Sequence, residues 1–388
     1  MMQSYIRQLN LEQLLTHKSF FLLGPRATGK SFLIQKQLSE NSIVLSLLRS
    51  EYYLRLSSSP WELESIIAAQ LNNNQNSIIV IDEIQKLPHL LDEVHRLIEE
   101  KHWRFLLTGS SARKLKHGHA NLLAGRAWIA HLFPLSFCEI PDFNLDRYLR
   151  YGGLPAIYQS QFPEEELNAY ANTYLYEEIQ AESLVRKLPQ FSRFLQVAAL
   201  NSGLLLNFSK VASDTGIAAS TIREYYSILQ DTLLGFMLEP WVKTLKRKST
   251  STAKFYIFDC GVTHTLAGTQ TIDRNSDLYG RSFEQFIGLE LRCYLDYRRK
   301  LDRLGFWRSK SQHEVDFTIG DHTAIETKSS QKVTTADLHG LKALQEENIF
   351  ISYYLVSQDL IETKHNNIHC IHWKTFLIKL WSDQLLHT

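Results

Sequence analysis

Residues 24–31 read GPRATGKS and concentrate more chemistry than any other stretch of the chain. Gly24 and Gly29 let the backbone bend so that its N–H groups point inward at phosphate oxygens. Pro25, Arg26, Ala27 and Thr28 fill the positions between them. Lys30 supplies a point charge for the β- and γ-phosphates, and the Ser31 hydroxyl is a ligand for Mg²⁺. The apolar run SFFLL (19–23) precedes the loop and an amphipathic run follows it. A helix starting near Lys30 would add its positive N-terminal end. A chance glycine-rich turn would lack these flanks, so ATP with Mg²⁺ is the expected ligand pair.

Such a loop needs an acidic residue at the end of another buried strand. SIIVIDEIQ (77–85) provides Asp82 and Glu83 after four apolar residues. Asp82 would hold Mg²⁺ through a water, and Glu83 would polarise the water that attacks the γ-phosphate. In RFLLTGSSARKL (104–115), Thr108 could bind that water or the γ-phosphate. The competing role is a Thr-Gly turn that caps the next helix through Ser110 or Ser111. Arg26, Arg113 and Arg126 are candidates to stabilise transition-state charge, or are surface arginines. Whether such an arginine acts within one chain or across a homo-oligomer stays open.

A second constellation is more dispersed. HEVDFTIGDHTAIETKSS (313–330) holds Asp316, Glu326 and Lys328. In a strand, residues two apart share a face, so Glu326 and Lys328 project together. A hairpin would bring Asp316 beside them. Two carboxylates and a lysine on one sheet face could hold a second Mg²⁺, or Mn²⁺, for hydrolysis of a phosphodiester. Glu284, in a helical pattern upstream, would join them, and Glu314 would share the face of Asp316. Arg298, Arg299, Lys300, Arg308 and Lys310 would suit a polyanion such as DNA. Against this, an E-x-K pair is common as a salt bridge on an exposed strand. The His365, His369, Cys370 and His372 cluster fits a polar loop entering a strand better than a zinc site. Asp259, at a strand end, fits a turn cap.

The elements that must position these groups follow from periodicity. Short apolar runs at 19–23, 42–47, 77–82 and 104–109 alternate with helical patterns, which indicates a parallel α/β sheet. Residues 161–245 are mostly helical, and LNFSKVASDTGIAASTIREYYSILQ (206–230) has helix-turn-helix rhythm. Ser220, Thr221 and Arg223 would face a DNA groove, unless the helices serve protein contacts. The basic stretch 242–254, with Lys243, Lys246, Arg247 and Lys248, resembles a mobile linker. From 254 onward strands return. Three domains result: 1–160, 161–245 and 246–388, with YGGLPAIY (151–158) at the first boundary.

The strings FFLLGPRATGKS, SIIVIDEIQ, RFLLTGSSARKL, LAGRAWIAHLFPLSFCEI and YGGLPAIY occur in an order that resembles a prokaryotic family of AAA-type P-loop ATPases. That resemblance implies an α/β ATPase core, a winged-helix-like middle and a C-terminal domain similar to PD-(D/E)xK restriction endonucleases. The order helix-Glu284, Asp316, Glu326-x-Lys328 fills the nuclease pattern. GKS stands where GKT is usual, with an equivalent hydroxyl.

The chain has 388 residues, 44% of them hydrophobic and 21% charged, with a formal net charge of +1. No global basic excess signals nucleic acid, so any such surface must be local. The four cysteines show no CxxC spacing. No apolar run approaches the roughly 20 residues that span a bilayer. A cytoplasmic protein with no membrane partner is the expectation. Three functions compete: an ATPase coupled to nucleic-acid cutting, an ATP-dependent switch whose C-terminal fold only binds a partner, and a remodelling ATPase without nucleic acid.

Overall fold

The computed structural model describes residues 5–38, 42–71, 77–111, 125–174, 179, 188–244 and 246–386. Arg113 lies outside the described residues. The chain forms two compact units: one holds Ser4–Pro134 and Ile228–Leu234, the other Leu135–Ser227 and Gly235–Thr388. The expected boundary at YGGLPAIY instead lies inside the second unit. There the Gly153 N–H donates to the buried Asp259 carboxylate at 2.7 Å.

The first unit is built on five parallel strands in the order β2-β3-β4-β1-β5. These are β1 (Ser19–Leu23), β2 (Ser42–Ser46), β3 (Ile78–Asp82), β4 (Arg104–Gly109) and β5 (Ala127–His131). Every residue of β1 is buried, which is why Phe20–Leu23 are continuously apolar rather than alternating, while the buried Ser19 hydroxyl accepts from the Phe105 N–H at 3.0 Å. Ile79, Ile81, Phe105 and Leu107 form one core with Leu90, Val94 and Leu97 of the helix Leu90–Lys101. Each such side chain contributes roughly 1.5–3 kcal/mol by burial. The apolar-run pattern does not pick out β5. It is an edge strand with Trp128 and Ile129 exposed.

The strand order matters for chemistry. β4 separates β1 from β3, so Thr108 at its end lies between the glycine loop after β1 and Asp82 at the end of β3. Ligands of open α/β sheets bind beyond these carboxyl ends.

The second unit carries a mixed eight-stranded sheet, ordered β12-β13-β11-β10-β9-β8-β6-β7. The strands are β6 (Gly235–Pro240), β7 (Lys254–Ile257), β8 (Leu304–Arg308), β9 (Glu314–Ile319), β10 (Thr323–Lys328), β11 (Ser352–Ser357), β12 (Thr363–His365) and β13 (Ile368–His372). β8, β9 and β10 run antiparallel, and β11 is parallel to β10. The helix Asp277–Tyr297 precedes this meander, and the helix His339–Gln345 joins β10 to β11. Gly288 is where the long helix approaches β9: a Cβ there would lie 2.8 Å from the Phe317 ring. On the sheet, Val315, Ala324 and Leu355 share a core with Leu338, Leu341 and Leu344.

Among the described residues of the stretch from 242 to 254, several are held rather than free. Glu347 accepts from the backbone N–H groups of Lys246 and Arg247, at 2.8 and 3.0 Å. Lys243 pairs with Asp321, and Arg247 with Glu346. These cations are therefore already engaged within the fold.

Candidate functional site

The glycine loop is shaped by its backbone. Ala27 and Gly29 both have positive φ, 62° and 92°, and the helix Lys30–Leu38 begins directly after them. An alanine in the left-handed region is uncommon and marks a backbone held by its surroundings. Here Thr28 is fully buried, and its hydroxyl donates to the Pro25 carbonyl at 2.9 Å. Gly24 packs against the Leu132 carbonyl with no room for a Cβ. The Lys30 ammonium folds across the loop, 2.6 Å from the Gly24 carbonyl and 3.0 Å from the Pro25 carbonyl. A lysine resting on carbonyls of its own loop is poised to exchange them for phosphate oxygens. Ser31, the next residue, is exposed.

Asp82, Glu83 and Thr108 come together. The Thr108 hydroxyl donates to Asp82 Oδ1 at 2.5 Å and accepts from the Glu83 N–H at 3.3 Å. Ser46 donates to Asp82 Oδ2 at 3.2 Å. A carboxylate offers about four lone-pair sites, so Asp82 retains capacity for a water. Glu83 adopts φ 61° and ψ 44°, the left-handed region, and its Oε2 accepts from Gln85 Nε2 at 2.5 Å. Gln85 is itself buried and also reaches the Ser110 hydroxyl at 3.2 Å. Ser46 and Gln85 escape sequence reasoning, although Gln85 stands two residues past Glu83. Arg126 pairs with Glu99 at 2.6 Å on the surface. Arg26 is partly exposed.

The loop geometry fits a nucleotide's phosphates: positive φ at Ala27 and Gly29, a helix N-terminus, an ammonium resting on loop carbonyls and a water-competent carboxylate at the end of β3. The comparisons agree at this level. Residues 16–141 match an AAA domain. That match supports an AAA-type, ATP-binding function for the first unit. Residues 142–273 and 279–376 match two domains of unknown function, DUF8612 and DUF4143. An uncharacterized protein of Mycobacterium tuberculosis is 27% identical over 252 residues, covering 63% of this chain and 56% of its own length. This chain thus spans little more than half of that relative. Uncharacterized proteins of Haemophilus influenzae and Methanocaldococcus jannaschii are 24% and 22% identical, covering 74% and 79% of this chain and 78% and 73% of theirs. Among solved structures, Drosophila ORC bound to AT-rich DNA and Cdc6 aligns at 10% identity over 66% of this chain and 88% of that one. Its TM-score of 0.24 is too low to carry an argument.

The C-terminal constellation assembles differently from the expected single face. Opposite β8, Gly305 pairs with Thr318 but Trp307 pairs with Val315, so Asp316 and Phe317 together face Phe306. This bulge breaks the alternation on which the Asp316 and Glu314 placement relied. The β9–β10 ladder stops at the Phe317–Ile325 pair. Beyond it the Asp316 carboxylate substitutes for the ladder, accepting from the N–H and hydroxyl of Thr327 at 2.8 and 2.7 Å. Lys328 pairs with Glu326 at 2.6 Å. Glu326 Oε2 is buried without a hydrogen-bond partner.

Glu284 does lie nearby, on the helix Asp277–Tyr297, but its Oε1 is taken. Lys254 donates to it at 3.0 Å and the Tyr256 hydroxyl at 2.6 Å. Lys254 also reaches Glu314 at 2.7 Å, and Arg308 holds the other oxygen of Glu314 at 2.9 Å. Burial works to lower the Lys254 pKa, yet Glu284 and the neighbouring carboxylates hold it well above the ordinary value. Burial, with Asp316 nearby, pushes Glu326 well above the carboxylate range. Burial likewise raises Glu284. Among the described residues no three His, Cys, Asp or Glu side chains stand where they could share one metal ion. As placed, Glu284 and Glu314 are committed to Lys254, so the four carboxylates do not converge on one ion. Sequence reasoning missed both Lys254 and Tyr256: Lys254 ends an apparent linker, and Tyr256 lies within the strand-like run KFYIFD.

A cleft of about 1060 Å³ opens over this cluster. Glu284, Asp316, Thr327 and Lys328 line it, together with Arg274, Arg281 and Lys332. In the hairpin β12–β13, His369 opposes Lys364, and His372 accepts from the Lys374 N–H. Asp259 caps the helix Cys260–Ala267 by accepting from the Val262 N–H at 3.0 Å.

Proposed function

We propose that the chain is a Mg²⁺-dependent ATP hydrolase of AAA type that couples nucleotide state to a C-terminal nuclease-like domain engaging nucleic acid. The observation that carries the ATPase half is the Thr108 hydroxyl, which ties the Asp82 carboxylate and the Glu83 backbone together beside the glycine loop. The backbone of residues 24–29 and Lys30 would bind the phosphates, and Ser31 and Asp82 would hold Mg²⁺. When bound, Mg²⁺ neutralises phosphate charge. Glu83 would orient and deprotonate the attacking water, with Gln85 fixing its carboxylate. Thr108 would keep Asp82 and Glu83 in register.

The nuclease-like half is supported by the order of elements: a helix bearing Glu284, a strand bearing Asp316, then a strand bearing Glu326 and Lys328. The helices Phe208–Thr215 and Ala219–Asp231, followed by the antiparallel β6 and β7, support a winged-helix-like middle. Arg223 lies over the Phe208 ring at 5.2 Å.

Phosphate release from ATP by wild type, Lys30→Ala and Glu83→Gln tests the first half. The proposal expects Lys30→Ala to lose nucleotide binding and Glu83→Gln to bind but not turn over. Unchanged turnover in Glu83→Gln would sink it.

A further inference from the structure

The acidic cluster beside the cleft, to which Glu284 of the cleft lining belongs, already holds a cation supplied by the fold. Lys254 is 4% exposed, and its ammonium stands between Glu284 and Glu314 at 3.0 and 2.7 Å. Tyr256, two residues along the same strand, donates to the oxygen of Glu284 that Lys254 also touches. Thr327 supplies two donors to one oxygen of Asp316, and Lys328 and Arg308 cover Glu326 and Glu314. Four carboxylates thus meet three internal cations, leaving a formal deficit of one charge. A buried charge persists only when it is paired, so Lys254 and its two glutamates require each other. A divalent metal could draw Glu284 or Glu314 into a shared site only by displacing a buried ammonium.

We propose that Lys254 is the resident cation of this cluster, so that the cleft takes a phosphodiester backbone without a divalent metal and does not cut it. The inference rests on the nuclease-like, nucleic-acid-binding reading above and fixes how that site works. The cleft's lining supplies the contacts: Lys332 is exposed, and Arg281 and Arg274 line the same opening, Arg281 donating to the Leu200 carbonyl and Arg274 paired with the exposed Asp146 carboxylate, which it would have to leave. Phosphate oxygens would be held by these groups, while Lys254, Lys328 and Arg308 offset most of the carboxylate charge beside them.

The test uses the full chain without nucleotide, with Mn²⁺ as probe and electron paramagnetic resonance to count bound metal. Wild type is expected to bind none at this site. Lys254→Met is expected to gain one Mn²⁺, lost again when Asp316→Asn is added. Bound Mn²⁺ in wild type that disappears in Asp316→Asn would overturn the proposal, and this comparison does not require the Lys254 variant to fold. In parallel, fluorescence polarisation of a short DNA duplex is expected to give the same affinity in EDTA and in Mg²⁺, and weaker binding in Lys332→Ala. Affinity raised about tenfold by Mg²⁺ would contradict the metal-free cleft. Absence of DNA binding in both conditions would refute the nucleic-acid reading itself, while the Mn²⁺ count still decides the role of Lys254.

Discussion

Asp82 and the pair Glu284 and Glu314 are furnished in opposite ways. At Asp82 the donors are neutral hydroxyls, Thr108 and Ser46, and the nearby Lys30 rests on carbonyls it can leave. At Glu284 and Glu314 a buried ammonium reaches both carboxylates, joined by the Tyr256 hydroxyl on Glu284 and by Arg308 on Glu314. Neutral donors orient a carboxylate and leave its charge available to a cation. An internal lysine consumes that charge. The difference teaches that acidic residues in a plausible order do not define a metal site until their partners are known.

Mutations can break this comparison on the first side. Lys30→Ala should lower ATP turnover on the order of a hundredfold or more, because it removes charge aimed at the phosphates. Turnover near the wild-type level would detach the loop from hydrolysis. Glu83→Gln should cost a similar factor, within the roughly 10²–10⁴ range of a general base, while a fluorescent ATP analogue still binds. Thr108→Ala should be milder, about tenfold, in keeping with a hydrogen bond to a charged group worth roughly 1.5–3 kcal/mol. Thr108→Ser should restore most of the rate, since only the hydroxyl is used. A silent Thr108→Ala would leave that residue as a mere turn former.

Arg126→Ala should change turnover least, given its surface pairing with Glu99. A drop of more than about tenfold would return Arg126 to the transition state.

Glu290 sharpens the second side, because it shows a buried acid held by neutral donors in the same unit. It accepts from the Phe137 N–H at 2.7 Å and from the Trp381 indole at 2.9 Å. Burial pushes its pKa up to about 8 from an ordinary 4.5, against those hydrogen bonds. Between these values the folded chain holds more protons than the unfolded one, so this group's contribution to stability falls as pH rises. Glu290→Gln removes that slope. Its melting temperature relative to wild type should therefore be higher at pH 8 than at pH 5. A gap that does not change with pH would contradict the assignment.

How much of this was legible in the sequence depends on how local each site is. Eight contiguous residues define the glycine loop, because backbone bends and a helix start are local properties. Asp82, Glu83 and Thr108 lie at ends of apolar runs, which parallel strand order gathers at one sheet edge. The buried strands themselves were plain for the same reason, and β5 was hidden because an edge strand need not be apolar throughout. The C-terminal cluster draws on residues from 254 to 328, and a one-residue bulge at Asp316–Phe317 overrides the period of two. Lys254 was invisible because lysine before a strand usually means a solvated linker. Its burial is a tertiary outcome that no local pattern announces.

The most direct measurement is to count Mn²⁺ bound to wild-type protein with and without a non-hydrolysable ATP analogue. The account predicts one ion with the analogue, lost in Asp82→Asn, and none without it. An ion bound without nucleotide and lost in Asp316→Asn would show that the two centres are alike, and would contradict it.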